Sequence, residues 1–242
     1  MTDELLAQAD RIILPGVEAL AVLKEHPSRG GAIALQLPRL CFGREEQLRD
    51  EIDRFAALGG RWVYAPTVDA LSIAARHKTL RVMAGFTLNL MNRQAILQAG
   101  QLGASEATVS FELHQKPLRT LLEQAPLPSG MVVYGHLPLM VSRICPMSNS
   151  STCPDDCERC AQEAWQPVTD RKGAFFYCRD HTLINGVPLY IGDWPIPPEA
   201  SHQLFYFTKE TAEECVKVLA LHQRKAPYPG RFTRGLYAKG VL

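Results

Sequence analysis

The feature that most constrains this chain is the rhythm of its first 140 residues, where short apolar runs alternate with longer amphipathic ones. Arg11 to Leu14 reads as a strand closed by Pro15-Gly16, and Val17 to Lys24 as a helix. Gly31 to Leu37 is a second strand. Glu45 to Leu58 places Leu48, Ile52, Phe55 and Leu58 on one helical face. The pattern repeats as strand Arg61 to Ala65 with helix Val68 to Arg76, then strand Leu80 to Ala84 with a helix from Asn92 to Gln101. Strand Ala107 to Phe111 precedes a helix from Lys116 to Gln124, and Met131 to Tyr134 is the sixth strand. Strands separated by helices of this length predict parallel pairing through helical crossovers.

After residue 140 the rhythm breaks. Residues 145–163 are rich in Cys, Ser, Asp and Pro. Lys172 to Cys178 and Leu183 to Ile191 read as a small antiparallel excursion, and Pro195, Pro197 and Pro198 as a turn back. Gln203 to Phe207 is a seventh strand and Glu210 to His222 a last helix, ahead of a basic, Gly-containing tail. The expected organisation is therefore residues 1–140 as β/α repeats, 141–200 as a Cys-rich excursion, and 201–242 as a final strand–helix unit with the tail. A closed eight-unit barrel typically takes ~250 residues, and about 60 are spent here on the excursion, leaving room for seven units. The expected fold class is thus α/β: a TIM-barrel-like parallel barrel of about seven strands, which is either incomplete or has its missing strand supplied by a second subunit or another segment. A doubly wound open sheet is the alternative, weakened because no glycine-rich fingerprint follows the first strand.

Composition narrows function. Hydrophobic residues make up 46% and charged residues 21%, which excludes wholesale disorder. A net charge of +1 means that any nucleic-acid contact must come from a local patch. No apolar run reaches the ~20 residues of a membrane helix, and Asp3 and Glu4 stand where an export signal carries Lys or Arg. A cytoplasmic protein without membrane contact is expected.

Seven cysteines, an odd number, argue against a disulfide framework. Four of them fall between 145 and 160. The Cys157-x-x-Cys160 pair can turn two thiolates onto one metal. Cys145 lies twelve residues earlier and Cys178 eighteen later, so four sulfurs from separate segments could close a tetrahedral site; Cys153 is a fifth candidate. A zinc ribbon prefers two close pairs, whereas a 4Fe–4S cluster tolerates irregular spacing, and both metals stay open on spacing alone. Reduced thiols without metal are the plainer alternative. Cys41 and Cys215 read as core residues.

The run from Tyr134 to Cys145 (YGHLPLMVSRIC) resembles the hallmark of the peptidase U-thirty-two family, the collagenase-like peptidases, and is most similar to its cluster-bearing ubiquinone-biosynthesis branch. DDCERC, TDRKGAFFYC with NGVPLYI behind it, and the terminal FTRGLYAKGV resemble family elements in the same order, from about residue 10 to the end. The family's first strand has no counterpart ahead of Arg11, and Cys153 leaves the ligand set ambiguous. The resemblance implies a barrel-like fold with a 4Fe–4S cluster on Cys145, Cys157, Cys160 and Cys178. It also implies oxygen-independent hydroxylation of an RNA base or a quinone precursor, with prephenate as the oxygen source; other members are classed as proteases.

His136 follows strand six, at the end where barrel enzymes place chemistry, although a lone histidine is as readily a structural hydrogen-bonder. Arg143 could hold a carboxylate substrate bidentately or balance cluster charge. Glu112 and His114 follow strand five and Asn89 follows strand four; each alone reads first as structural. Tyr228 and Phe232, among Arg224, Lys225, Arg231, Arg234 and Lys239, could stack on RNA bases, with a solvated terminus as the plainer reading. No G-x-S-x-G elbow or H-E-x-x-H helix is present. Three functions therefore stand: an iron–sulfur hydroxylase using His136, Arg143 and Glu112, a peptidase acting on unfolded or collagen-like chains, and a non-catalytic metal-stabilised partner subunit.

Overall fold

Seven of the strands expected from the sequence form in the computed structural model, which describes residues 3–142, 165–179 and 181–238. The chain opens with α1 (Asp3–Gln8), β1 (Ile12–Pro15), α2 (Gly16–Glu25), β2 (Ile33–Gln36) and α3 (Glu45–Ala57). β3 (Trp62–Ala65), α4 (Val68–Ala74), β4 (Arg81–Ala84) and α5 (Arg93–Gln101) follow, then β5 (Glu106–Thr108), α6 (Gln115–Glu123) and β6 (Ser129–Gly135). Helices α4 and α5 begin where a side chain holds an open N–H group. Thr67 Oγ1 accepts from Ala70 N at 3.2 Å ahead of α4, and Asn92 Oδ1 accepts from Ala95 N at 2.8 Å ahead of α5.

The chain divides into two compact units. The first comprises residues 3–132, 196–204 and 235–238; the second comprises 133–142, 165–179, 181–195 and 205–234. In the first unit β1 to β5 and the start of β6 pair in parallel and in chain order. A doubly wound sheet must reverse its strand order at a switch point. This one never reverses, so its crossovers wind in a single direction, as in a β/α barrel. All four residues of β3 are buried, as expected of a parallel strand covered on both faces.

This sheet is curled. Arg11 immediately precedes β1 and Glu106 opens β5, yet Arg11 Nη1 donates to Glu106 Oε2 at 2.9 Å. Four strand spacings in a flat sheet would separate those positions by about 19 Å. The Arg11 guanidinium also lies 3.5 Å from the ring centre of Trp62, the first residue of β3, and that of Arg81, the first residue of β4, lies 4.1 Å from it. An arginine–tryptophan–glutamate plug therefore spans the concave side at the strands' N-terminal ends, the end that in barrels serves stability. Among the described residues β1 has one strand neighbour, β2.

In the second unit, β7 (Pro138–Val141), β8 (Gln166–Thr169), β9 (Phe175–Arg179) and β10 (Thr182–Asn185) form an antiparallel sheet in the order β7-β10-β9-β8. This is the antiparallel excursion. Its cysteine-rich segment, 145–163, falls outside the described residues. β11 (Leu189–Tyr190) pairs antiparallel with Gly135 and Tyr134. β12 (Gln203–Tyr206) pairs with β6. Met131 N donates to His202 O, and Gly135 lies against Tyr206. Both positions advance by four, so β12 runs in the direction of β6 as the seventh parallel strand. α7 (Ala212–Gln223) closes the series with a capping box between Thr211 and Glu214.

Candidate functional site

β6 ends at Gly135, with Tyr134 just before that glycine and His136 just after it. Tyr134 and His136 both meet one carboxylate. Tyr134 Oη donates to Glu210 Oε1 at 2.8 Å, and His136 Nε2 lies 3.7 Å from that same oxygen. The other oxygen, Oε2, accepts from the backbone N–H groups of Thr208 at 2.7 Å and Lys209 at 3.0 Å. The side chains of His136 and Glu210 are each 6% exposed, so the pair is shut from bulk water.

The imidazole is held on its other side as well. His136 Nδ1 sits 2.7 Å from Asn185 O, so Nδ1 carries the proton and donates it to that carbonyl. Nε2 is left as the basic nitrogen facing Glu210. The ring meets Tyr177 edge-on at 5.8 Å, and Lys209 Nζ stands 4.6 Å from the Tyr177 ring centre. Burial pushes the His136 pKa below the usual histidine value and the Lys209 ammonium adds to this, while the Asn185 carbonyl and Glu210 oppose them. Burial, then Glu210, pushes the Tyr134 phenol far above its ordinary range. The arrangement is a neutral imidazole with one open acceptor nitrogen, a neutral phenol and a carboxylate positioned to stabilise an imidazolium. It can take up one proton in a dry site and return it.

Two further histidines, His202 and His222, also have their pKa lowered by burial. A histidine held below its unfolded value binds fewer protons folded than unfolded, so stability falls as pH drops below the unfolded pKa near 6.5. Urea midpoints are therefore expected to decrease between pH 7 and pH 5. His136→Gln should flatten part of that slope, and an unchanged pH dependence in this variant would contradict the buried neutral ring.

The other sequence candidates are distributed as follows. Glu112 is half-buried in the first unit, just after β5, where its N–H donates to Ser110 Oγ at 3.2 Å. Ser110 Oγ in turn donates to Asn89 Oδ1 at 2.7 Å, and Asn89 has a φ of 56°. His114 precedes α6 and accepts from Lys116 N at 3.4 Å. His114 thus acts locally on the backbone, whereas the Asn89 side chain holds the Ser110 hydroxyl. Cys178 lies in β9 with 0% exposure, between Leu183 of β10 and Gln166 of β8. Arg143, Cys145, Cys153, Cys157 and Cys160 lie outside the described residues. Among the described residues no group of three or more His, Cys, Asp or Glu side chains could hold a metal. Cys41 and Cys215 are buried, as core residues should be.

The packing of Tyr228 and Phe232 corrects the plainer reading of a solvated terminus as well as the base-stacking alternative. Tyr228 packs on Tyr134 and Tyr190, and Phe232 on Tyr190 and Tyr228, at centroid distances of 5.4 to 6.1 Å. Both belong to the aromatic core of the second unit. Arg234 is also engaged, in a two-bond fork on Asp193 at 2.7 and 2.9 Å. Burying aromatic area stabilises a small unit more than a free face would. The sequence reading did not single out Tyr134 or Glu210 as site residues.

No family model and no curated protein matches this chain. Among solved structures, the fold is similar to that of the U32 peptidase Mk0906, at 16% identity and a TM-score of 0.44, over 57% of this chain. The match takes in 64% of that peptidase's length. The fold is also similar to 2,3-dimethylmalate lyase, a member of the PEP mutase/isocitrate lyase superfamily, at 10% identity and a TM-score of 0.34, over 58% of this chain and 70% of that one. Among the described residues no helix is long and apolar enough to cross a membrane.

Proposed function

We propose that the chain is an iron–sulfur enzyme. Cys145, Cys157, Cys160 and Cys178 hold a 4Fe–4S cluster, with Cys153 as the alternate sulfur, and the reaction is oxygen-independent hydroxylation of an RNA base or a quinone-type precursor. The observation that carries the reading is the composition of β9. One residue, Cys178, offers a fully buried sulfur, and its neighbour Tyr177 packs on the proton-accepting His136. A water-excluded sulfur is a suitable soft donor for an iron–sulfur or zinc centre, and this supports Cys178 as one of the four ligands. When bound, such a cluster supplies single electrons. The chain's own residues supply the rest. His136 Nε2 takes the substrate proton, Glu210 stabilises the imidazolium, the Asn185 carbonyl fixes the ring, and Tyr134 keeps Glu210 in register. Arg143 and Glu112 are the proposed substrate-positioning groups. The unpaired side of β1 among the described residues leaves room for a strand from a second subunit.

Anaerobic purification followed by metal and sulfide analysis tests this reading. About four irons and four sulfides per chain are expected, and Cys178→Ser should remove most of the iron while the far-ultraviolet circular dichroism is kept. Stoichiometric zinc without iron, or full iron content in the serine variant, would overturn the assignment.

A further inference from the structure

A cavity of about 760 Å³ opens in the first unit beside the C-terminal ends of β1 and β2. It is not part of the His136 site. One wall comes from α2, whose Val17, Leu20 and Ala21 recur at helical spacing as an apolar stripe. The facing wall is α3, where Arg44, Glu51 and Arg54 all border the cavity. Those positions are seven and three residues apart, so they line one helical face, with Arg44 at the residue that caps α3. The α2 wall also carries Glu18, Lys24 and Glu25, so the apolar stripe is flanked by charges and faces the cation, anion and cation of α3. Its volume lies within the roughly 300–1,000 Å³ typical of small-molecule pockets.

Glu51 is the unusual group in this wall. It is half-buried, and its carboxylate rests against the first turn of α2, where a Cβ on Gly16 would fall on it. Burial raises its pKa, with Glu18 adding to the rise and the two arginines opposing it. A half-buried carboxylate on the wall of a cavity can receive a ligand's cation there. Arg54 lies one helical turn further on, about 4.5 Å along the axis.

We propose that this cavity binds a small zwitterion with an apolar side chain, an α-amino acid of leucine size. Its ammonium pairs with Glu51, its carboxylate with Arg54, and its side chain lies on Val17, Leu20 and Ala21. Opposite charges one helical turn apart match two charged groups on a single α-carbon. A ligand carrying one charge alone leaves either Glu51 or Arg54 without its counter-ion.

Isothermal titration with L-leucine, isovalerate and isopentylamine tests the assignment. L-Leucine is expected to bind with a Kd of about 1 mM or tighter, and each single-charge analogue at least about tenfold more weakly. Glu51→Gln and Arg54→Gln should each weaken L-leucine about tenfold or more. Arg54 is exposed, so its variant keeps the fold even if Glu51→Gln lowers stability. Absence of saturable L-leucine binding, equal affinity for either analogue, or unchanged L-leucine affinity in Arg54→Gln would overturn the proposal.

Discussion

Glu210→Ala is expected to destabilise the protein by about 3 kcal/mol, with a clear fall in the urea midpoint at constant slope. The carboxylate collects three donors on its two oxygens. Tyr134 Oη loses its 2.8 Å partner, and the Thr208 and Lys209 N–H groups lose theirs. A buried donor left unsatisfied costs about 1–3 kcal/mol, although the N–H of exposed Lys209 can turn to water. The loss is a large share of the 5–15 kcal/mol that typically holds a domain together. Glu210→Gln should cost only about 1 kcal/mol, because its carbonyl oxygen still accepts from Thr208 and Lys209 while its amide donates to His136 Nε2 and to the Tyr134 hydroxyl oxygen, which turns to accept. The two variants thus separate the geometry of the carboxylate from its charge. Similar stability in Ala and Gln would show that the donors are not anchored at residue 210. In the alanine variant the His136 pKa should fall further, since burial remains while the supporting charge is gone; an NMR titration of the ring reads this directly.

The sequence made the parallel scaffold legible because burial on both faces leaves a local signature. Val63, Tyr64 and Ala65 are apolar in a row, and each such run is followed by a helical stripe such as Leu48, Ile52 and Phe55. The curl was not legible. It depends on Arg11 meeting Glu106 across 95 residues, and nothing in either neighbourhood announces that pairing. His136 could be read, since it directly follows the sixth strand, at the end where barrel enzymes place chemistry. Glu210 was lost by taking it as the first residue of the last helix. The TAEE run was the available signal. As a capping box it sets the N-cap at Thr211, which frees Glu210 to face elsewhere. Tyr228 and Phe232 misled for a different reason. A ring beside arginines has the same composition whether it stacks on a base or on a core, and only the neighbours Tyr134 and Tyr190 decide between the two.

Gly135→Ala should be the most damaging conservative change in the second unit, at about 3 kcal/mol or more, with soluble yield falling accordingly. Two independent costs combine. The residue has a φ of 153°, which L side chains rarely adopt, and holding alanine there costs on the order of 1–3 kcal/mol. A Cβ would also stand 2.5 Å from the Tyr206 carbonyl oxygen and 2.8 Å from the Tyr206 Cβ, so the backbone of β12 would have to retreat. That retreat cannot stay local, because Gly135 separates Tyr134 from His136. Any shift of β6 relative to the chain leading into Glu210 opens both contacts to the carboxylate. Leu189→Ala, in the strand that pairs with Gly135, is the appropriate comparison. It removes buried side-chain volume without touching the backbone angle, and its cost of about 2–5 kcal/mol should leave the His136 titration in place. If Gly135→Ala lowers stability but leaves that titration unaltered, the glycine supports the strand alone. If both change, the close approach of β12 is what holds tyrosine, histidine and glutamate on one centre.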